Sequence, residues 1–224
     1  MADLKHSNTT VKREALTLGS LAKNAGTAKG AYRVASIIEA TRSHILRKGH
    51  GAVTLEAVAE LVGIRKGNLQ YYFPTRSDLL CATFAAEIES HSQEWIAARD
   101  AQNDGARSRL NRVVAFELES NRNAEFIAQV RERWSLEERD ERARELTEKW
   151  YAWITEKYAE LIAGIRPELK HEQRLEIAAV IYSLVVGSTP YFSNELWRSN
   201  YKTEIDRTIM KAIDVILSEL SHAS

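Results

Sequence analysis

The chain has 224 residues, 44% of them hydrophobic and 28% charged, and its 31 basic and 31 acidic side chains cancel. That is an ordinary soluble composition, with enough length for one large domain or two small ones sharing a core. One cysteine, Cys81, excludes an internal disulfide, and no apolar run is long enough to span a bilayer.

Only 3 prolines and 10 glycines interrupt the sequence. Long helices with short connections suit that scarcity better than a sandwich or barrel, which needs frequent turn residues. The first residues lack the apolar stretch of a secretory signal. The expectation is a cytoplasmic, all-α protein of about nine helices. The charge is unevenly spread: residues 1–80 carry a net +6 and residues 81–224 a net −6. A basic head on an acidic body suits a phosphate-bearing partner.

In chain order, residues 1–28 mix Lys, Thr, Ser, Asn and Gly without periodicity and read as a flexible basic arm. Val34, Ile37, Ile38, Thr41, Ile45 and Leu46 then fall at helical spacing, and Gly49-His50-Gly51 ends that helix. Thr54 is a good N-cap for a short helix whose Val58, Ala59 and Val62 share a face. After Phe73-Pro74, Thr75 and Asp78 stand at capping-box spacing and open a helix through Leu79, Leu80, Phe84 and Ile88.

Further on, Asp104-Gly105 starts a helix carrying Leu110, Val113, Val114 and Leu118, and another runs from near Asn123 to Trp134. Ser135 and Glu138 again make a capping-box pair, predicting a helix of roughly 30 residues that Pro167 ends. Two apolar helices near 171–187 and 202–220 finish the chain.

The segment 54–80, TLEAVAELVGIRKGNLQYYFPTRSDLL, carries the function. Two short helices crossing steeply need a small residue where their backbones approach, and Ala59 supplies it. The turn between them needs a positive φ, which Gly63 takes without a Cβ clash. Val58, Val62, Ile64, Leu69 and Tyr72 would close a small core. This Ala-x3-Gly-x5-Leu spacing is that of a helix-turn-helix whose second helix, about 65–71, enters the major groove. Arg65 suits guanine, and Asn68 and Gln70 suit adenine. Lys66, Tyr72 and Arg76 are placed for phosphates, and Gly67 permits close backbone approach. The predicted DNA-facing set is Thr54, Arg65, Lys66, Gly67, Asn68, Gln70, Tyr71, Tyr72 and Arg76.

The run GIRKGNLQYYFPTRSDLL, with the helix before it from about Ala31, resembles the signature of TetR-family repressors over roughly 55 residues. In that family the position of Arg76 is usually a phosphate-contacting Lys, that of Gln70 is often Tyr, and that of Arg65 is frequently Ser. The resemblance implies an all-helical homodimer with a small-molecule effector pocket in its C-terminal domain. It also implies that the last two helices pair with those of a second subunit. An Ile-rich stripe on the terminal helix agrees, having more apolar surface than one thin body buries.

The domains expected are an arm over 1–28, a DNA-binding head over 29–80 and an effector-binding and dimerisation body over 81–224. Among the body's aromatics, Trp134, Tyr151 and Tyr182 are the effector-pocket candidates, since each has a polar group needing a partner if buried. That aromatic content favours an apolar or aromatic effector over a highly charged one. The six histidines show no metal-ligand spacing, and no cofactor is expected. Cys81 sits at an apolar position and reads as core. The function expected is a repressor released from a palindromic operator by its effector. An activator or corepressor-dependent regulator would use the same fold. A helical enzyme with a vestigial helix-turn-helix lacks any catalytic constellation in the sequence.

Overall fold

The computed structural model describes residues 22–192 and 199–219. Most of the expected arm lies outside that range, as do Trp197, Leu220, His6 and His222. The described elements are α1 (Ala28–Lys48), a 3-10 turn (His50–Ala52), α2 (Leu55–Val62), α3 (Lys66–Tyr72), α4 (Arg76–Arg99) and α5 (Ala106–Ser120). They continue with α6 (Ala124–Glu137), α7 (Glu141–Ile165), α8 (His171–Gly187), the single turn α9 (Thr189–Phe192) and α10 (Lys202–Glu219). No strand occurs among the described residues, so the protein is all-α. These residues form two compact units, 22–92 with 128–149 and 93–127 with 150–219.

In the first unit, local chemistry sets most helix ends. Thr27 caps α1 by accepting from the Gly30 N–H at 3.0 Å, and Gly49 ends it at φ +77°. Thr54 caps α2 by accepting from the Ala57 N–H at 3.1 Å. The Thr75–Asp78 capping box forms reciprocally: the Thr75 N–H donates to the Asp78 carboxylate, and the Asp78 N–H donates to the Thr75 hydroxyl. Ile37, Ile45, Val53, Val58, Leu69 and Phe73 are buried, giving the three N-terminal helices a core of their own.

One predicted helix start is corrected. Ser135 does not open a helix; it lies inside α6, and the chain breaks at 138–140. Asp140 is the cap of α7, accepting from the N–H groups of Arg142 and Ala143 at 3.1 and 3.3 Å. The Ser77 hydroxyl also donates to Asp140. A tertiary bond thus fixes the carboxylate at the cap, and the local Ser135–Glu138 spacing gives way. Further polar bonds hold 128–149 within this unit. Glu132 accepts from the backbone N–H of His50 and lies against its Nδ1, both at 2.6 Å. Arg142 pairs with Asp78 at 2.7 Å.

Glu87, on α4, is the outlier of this unit. Both of its carboxylate oxygens are shut off from solvent without a hydrogen-bond partner. Burial pushes its carboxyl up to about 7, against the opposing pull of the Arg133 and Arg42 guanidinium groups. Cys81 is fully buried, and burial raises its thiol too, as suits a packing residue rather than a nucleophile.

The second unit is built on aromatic and aliphatic packing among α5, α7, α8 and α10. Leu110, Val113, Ile154, Ile162, Ile181, Val185 and Ile213 are all fully buried. Asn121 donates to the Val185 carbonyl at 3.0 Å, Arg122 pairs with Asp206, and Arg166 donates to the Leu217 carbonyl. Contrary to the expectation from the sequence, the stretch His171–Phe192 is long and apolar enough to cross a membrane by length and composition alone; its 18-residue apolar window has mean hydropathy 1.4 and is 39% buried.

Candidate nucleic-acid interface

The turn between α2 and α3 is the geometric centre of the site. Gly63 adopts φ +70°, ψ 36°, the left-handed conformation, and its N–H caps α2 on the carbonyls of Ala59 and Glu60. A Cβ there would meet no neighbouring atom, so the demand for glycine is conformational rather than steric. Ala59 is buried beneath the turn, where a larger side chain would hold the two helices apart.

α3 begins at Lys66, with Arg65 as its extended N-cap, one residue later than predicted. Within α3 only Leu69 is buried. Arg65, Lys66, Gly67, Asn68, Gln70 and Tyr71 are exposed, as is Thr54 at the start of α2. A helix that buries one residue in seven is anchored at a single point, and its remaining polar side chains face outward. The Tyr71 and Tyr72 rings pack edge to face with centroids 5.1 Å apart, Tyr72 being the half-buried member.

Two of the cations in the predicted set already have partners. Lys66 pairs with Glu56 of α2 at 2.5 Å, which lowers the Glu56 carboxyl below its ordinary range. Arg76 donates from Nε to the Val53 carbonyl at 2.7 Å and from Nη2 to the His50 carbonyl at 2.5 Å. Its guanidinium therefore braces the 3-10 turn that leads into α2. Charge at that position is legible in the sequence; the two carbonyls it holds are not.

The structure adds residues that sequence spacing did not suggest. Lys29 and Arg33 of α1 join Ile64, Asn68, Tyr71 and Tyr72 around a cleft of about 310 Å³. The segment before α1 also meets the end of α3. The Lys23 N–H donates to the Tyr72 carbonyl at 2.9 Å, and the Asn24 side chain donates to the Tyr71 carbonyl at 2.8 Å. Those carbonyls are left open at a helix C-terminus, so the arm's last residues finish the recognition helix. Basic residues of α1 were visible in the sequence. Only the crossing of α1 with α3 brings them to this cleft.

Two of the three effector candidates, Tyr151 and Tyr182, lie side by side. Tyr182 is buried and its hydroxyl accepts from the Trp150 Nε1–H at 2.9 Å, so it is satisfied by protein. Tyr151 is exposed, with its ring edge-on to Tyr182 at 6.2 Å. Both belong to the second unit, Trp134 to the first. Around Tyr182 runs an aromatic cluster in which Trp95 meets Trp153 at 5.6 Å and Tyr158 at 5.8 Å. Among the described residues, no group of three or more His, Cys, Asp or Glu side chains is placed to hold a metal ion.

This geometry, a capped helix and a short outward-facing helix joined by a left-handed glycine, defines a helix-turn-helix DNA-binding domain. Residues 37–83, within the head, match the family described as bacterial regulatory proteins, tetR family.

Over most of the chain the fold is like that of solved proteins named as transcriptional regulators, TetR-family ones among them. A protein from Pseudomonas aeruginosa PAO1 named as a transcriptional regulator superposes with a TM-score of 0.68 at 14% identity, over 86% of this chain and 95% of that one. A Rhodococcus sp. protein named as a TetR-family regulator gives 0.64 at 22% identity, over 84% and 100%. A Saccharomonospora viridis protein named as a transcriptional regulator, in complex with choline, gives 0.67 at 18% identity, over 82% and 96%. These are likenesses of fold. No curated protein matches the chain by sequence.

Proposed function

We propose that this protein is a homodimeric transcriptional repressor that leaves a palindromic operator when a small molecule binds its body. The observation that carries the reading is the exposure of α3, where Lys66, Gly67, Asn68, Gln70 and Tyr71 are exposed, Tyr72 is half-buried and Leu69 alone is buried. Arg65, Asn68 and Gln70 read base edges; Thr54, Lys66, Tyr71 and Tyr72 hold phosphates, with Gly67 allowing close approach. Arg76 supports them by bracing the turn before Thr54. The working division is an arm over 1–28, a head over 29–80 and a body over 81–224.

Dimerisation through the last two helices is supported by what α8 and α10 expose. Val180 and Val215 are each 49% exposed, on an α8 far more apolar than its burial in one subunit warrants. An effector in the body, with Trp134, Tyr151 and Tyr182 as the first candidates, would act through α4 on the separation of the two recognition helices. Half-site spacing is fixed by the DNA helix, so a shift of a few ångströms is costly. One fold neighbour is in complex with choline, which supports small-molecule control in this architecture. On this reading the protein is cytoplasmic and has no catalytic activity of its own.

The test is selection of duplexes from a random-sequence pool, followed by affinity measurements on the recovered sites. A palindromic consensus is expected, and Arg65→Ala should weaken its binding by about 1–3 kcal/mol. Recovery of no enriched sequence would refute the reading. Unchanged affinity in Arg65→Ala would refute the contact assignment alone.

A further inference from the structure

The second unit contains a cleft of about 440 Å³ lined by Arg99, Arg109, Lys157, Glu160 and Leu161. Three cationic side chains face one carboxylate. Two of the cations are balanced locally: Lys157 holds Glu160 at 2.6 Å, and Arg99 holds Asp100 at 2.6 Å. Arg109 forms no ion pair among the described residues, and its Nε is buried without a hydrogen-bond partner. A buried guanidinium N–H without an acceptor is costly. Its position raises the cost, because Arg109 lies near the N-terminus of α5. That helix starts at Ala106 with no side-chain cap and no acidic residue in its first turn. A cation there sits against the positive end of the helix dipole; Asp104, just before the helix, supplies some opposing charge but no ion pair to Arg109, and its carboxylate is bonded to Arg112. An anion in the cleft would supply the acceptor that the Arg109 Nε lacks.

The site is built rather than incidental. A Cβ at Gly164 of α7 would lie 2.6 Å from the Ala106 Cβ, so this glycine lets the start of α5 approach the end of α7. That approach sets Arg109 beside Lys157 and Leu161. Trp95 precedes Arg99 by one turn of α4, and Trp153 precedes Lys157 by one turn of α7. The two indoles meet at 5.6 Å, so the aromatic cluster adjoins the cationic cleft along both helices. Trp95 and Tyr158 of that cluster are fully buried, while Trp153 is only partly so.

We propose that this cleft binds the anionic head of a small organic acid whose apolar or aromatic tail lies toward Trp153 and Leu161. The planar fork of Arg109 matches a carboxylate in two-point geometry. Lys157 and Arg99 add positive potential, and the tail supplies apolar contact area. The inference rests on the effector reading above and gives that effector a charge, which aromatic content alone did not.

The test is intrinsic tryptophan fluorescence of the full chain without DNA, titrated with phenylacetate, benzoate and octanoate. Benzylamine and inorganic phosphate serve as the opposing probes. Saturable binding of at least one organic acid is expected. Arg109→Ala should weaken it about tenfold or more, Arg109→Lys less, and the exposed Lys149→Ala not at all. Thermal melting of each variant separates lost binding from lost folding, and Lys157→Gln provides a second variant.

The proposal fails if no acid saturates, if Arg109→Ala and Lys157→Gln bind the acids as the unmodified chain does, or if benzylamine binds equally well. It also fails if inorganic phosphate binds as tightly as the acids, since the tail would then contribute nothing. Because the readout contains no DNA, these failures leave the regulator reading standing. A chain that binds an acid but enriches no duplex overturns the regulator reading alone.

Discussion

α3 and α8 both expose much of their surface, and they do so with opposite chemistry. α3 and its N-cap Arg65 turn a guanidinium, an ammonium, two amides and a phenol outward over residues 65–71 and bury only Leu69. α8 buries Ile177, Ala178, Ile181, Tyr182 and Val185, and still leaves Ala179 and Val180 in solvent. Polar groups on a rigid short helix remain hydrated until a hydrogen-bonding partner of matching spacing replaces the water. Apolar groups on a long helix are unfavourable in water from the start, and a second apolar surface relieves them. The first pattern suits a nucleic acid and the second another protein surface.

The largest expected effect comes from the single anchor of α3. Leu69→Ala should cost about 2–5 kcal/mol of head stability, read by denaturant titration, and abolish duplex binding. A loss below about 1 kcal/mol would mean that α3 is held by something other than this side chain.

Glu87→Gln tests the buried charge of the same unit. In the folded chain this carboxyl sits at about 7 against an ordinary 4.5. The folded state therefore binds more protons than the unfolded one between these values. Stability is fully present below about pH 4.5, falls as pH rises through 7, and is level above that. The glutamine variant should be more stable at pH 8 by about 3 kcal/mol and lose the slope between pH 4.5 and 7. Parallel pH profiles of the two proteins would refute the assignment.

Val180→Asp addresses α8. Placing a carboxylate on its apolar face should raise the dimer dissociation constant about tenfold or more, measured by sedimentation, without altering helix content. Identical association would remove α8 from the interface. The smallest effect is expected from Glu56→Gln, which frees Lys66 and removes a negative charge beside the recognition helix. Duplex affinity should rise about two- to fivefold, with a steeper salt dependence. A decrease would show that the Lys66–Glu56 pair orients the lysine rather than occupying it.

Local chemistry made the head readable in advance. A threonine cap, a left-handed glycine and one buried leucine act within a few residues of themselves, so their spacing alone announced the helix-turn-helix. The same logic failed at Ser135, where the local capping pattern lost to Asp140, held by a serine 63 positions away. Spacing placed Arg76 for a phosphate, but could not reveal the two carbonyls of the preceding turn that its guanidinium holds.

The body was less legible because its contacts are long-range and many aromatic arrangements satisfy one hydrophobic pattern. The sequence by itself determined the all-helical class, the turn at Gly63 and the outward chemistry of α3, through short-range backbone and capping preferences. The tertiary structure alone decided which cations are occupied and which remain open. Arg109 is one charge among 31 basic residues until the approach of Ala106 to Gly164 leaves its Nε buried and without an acceptor.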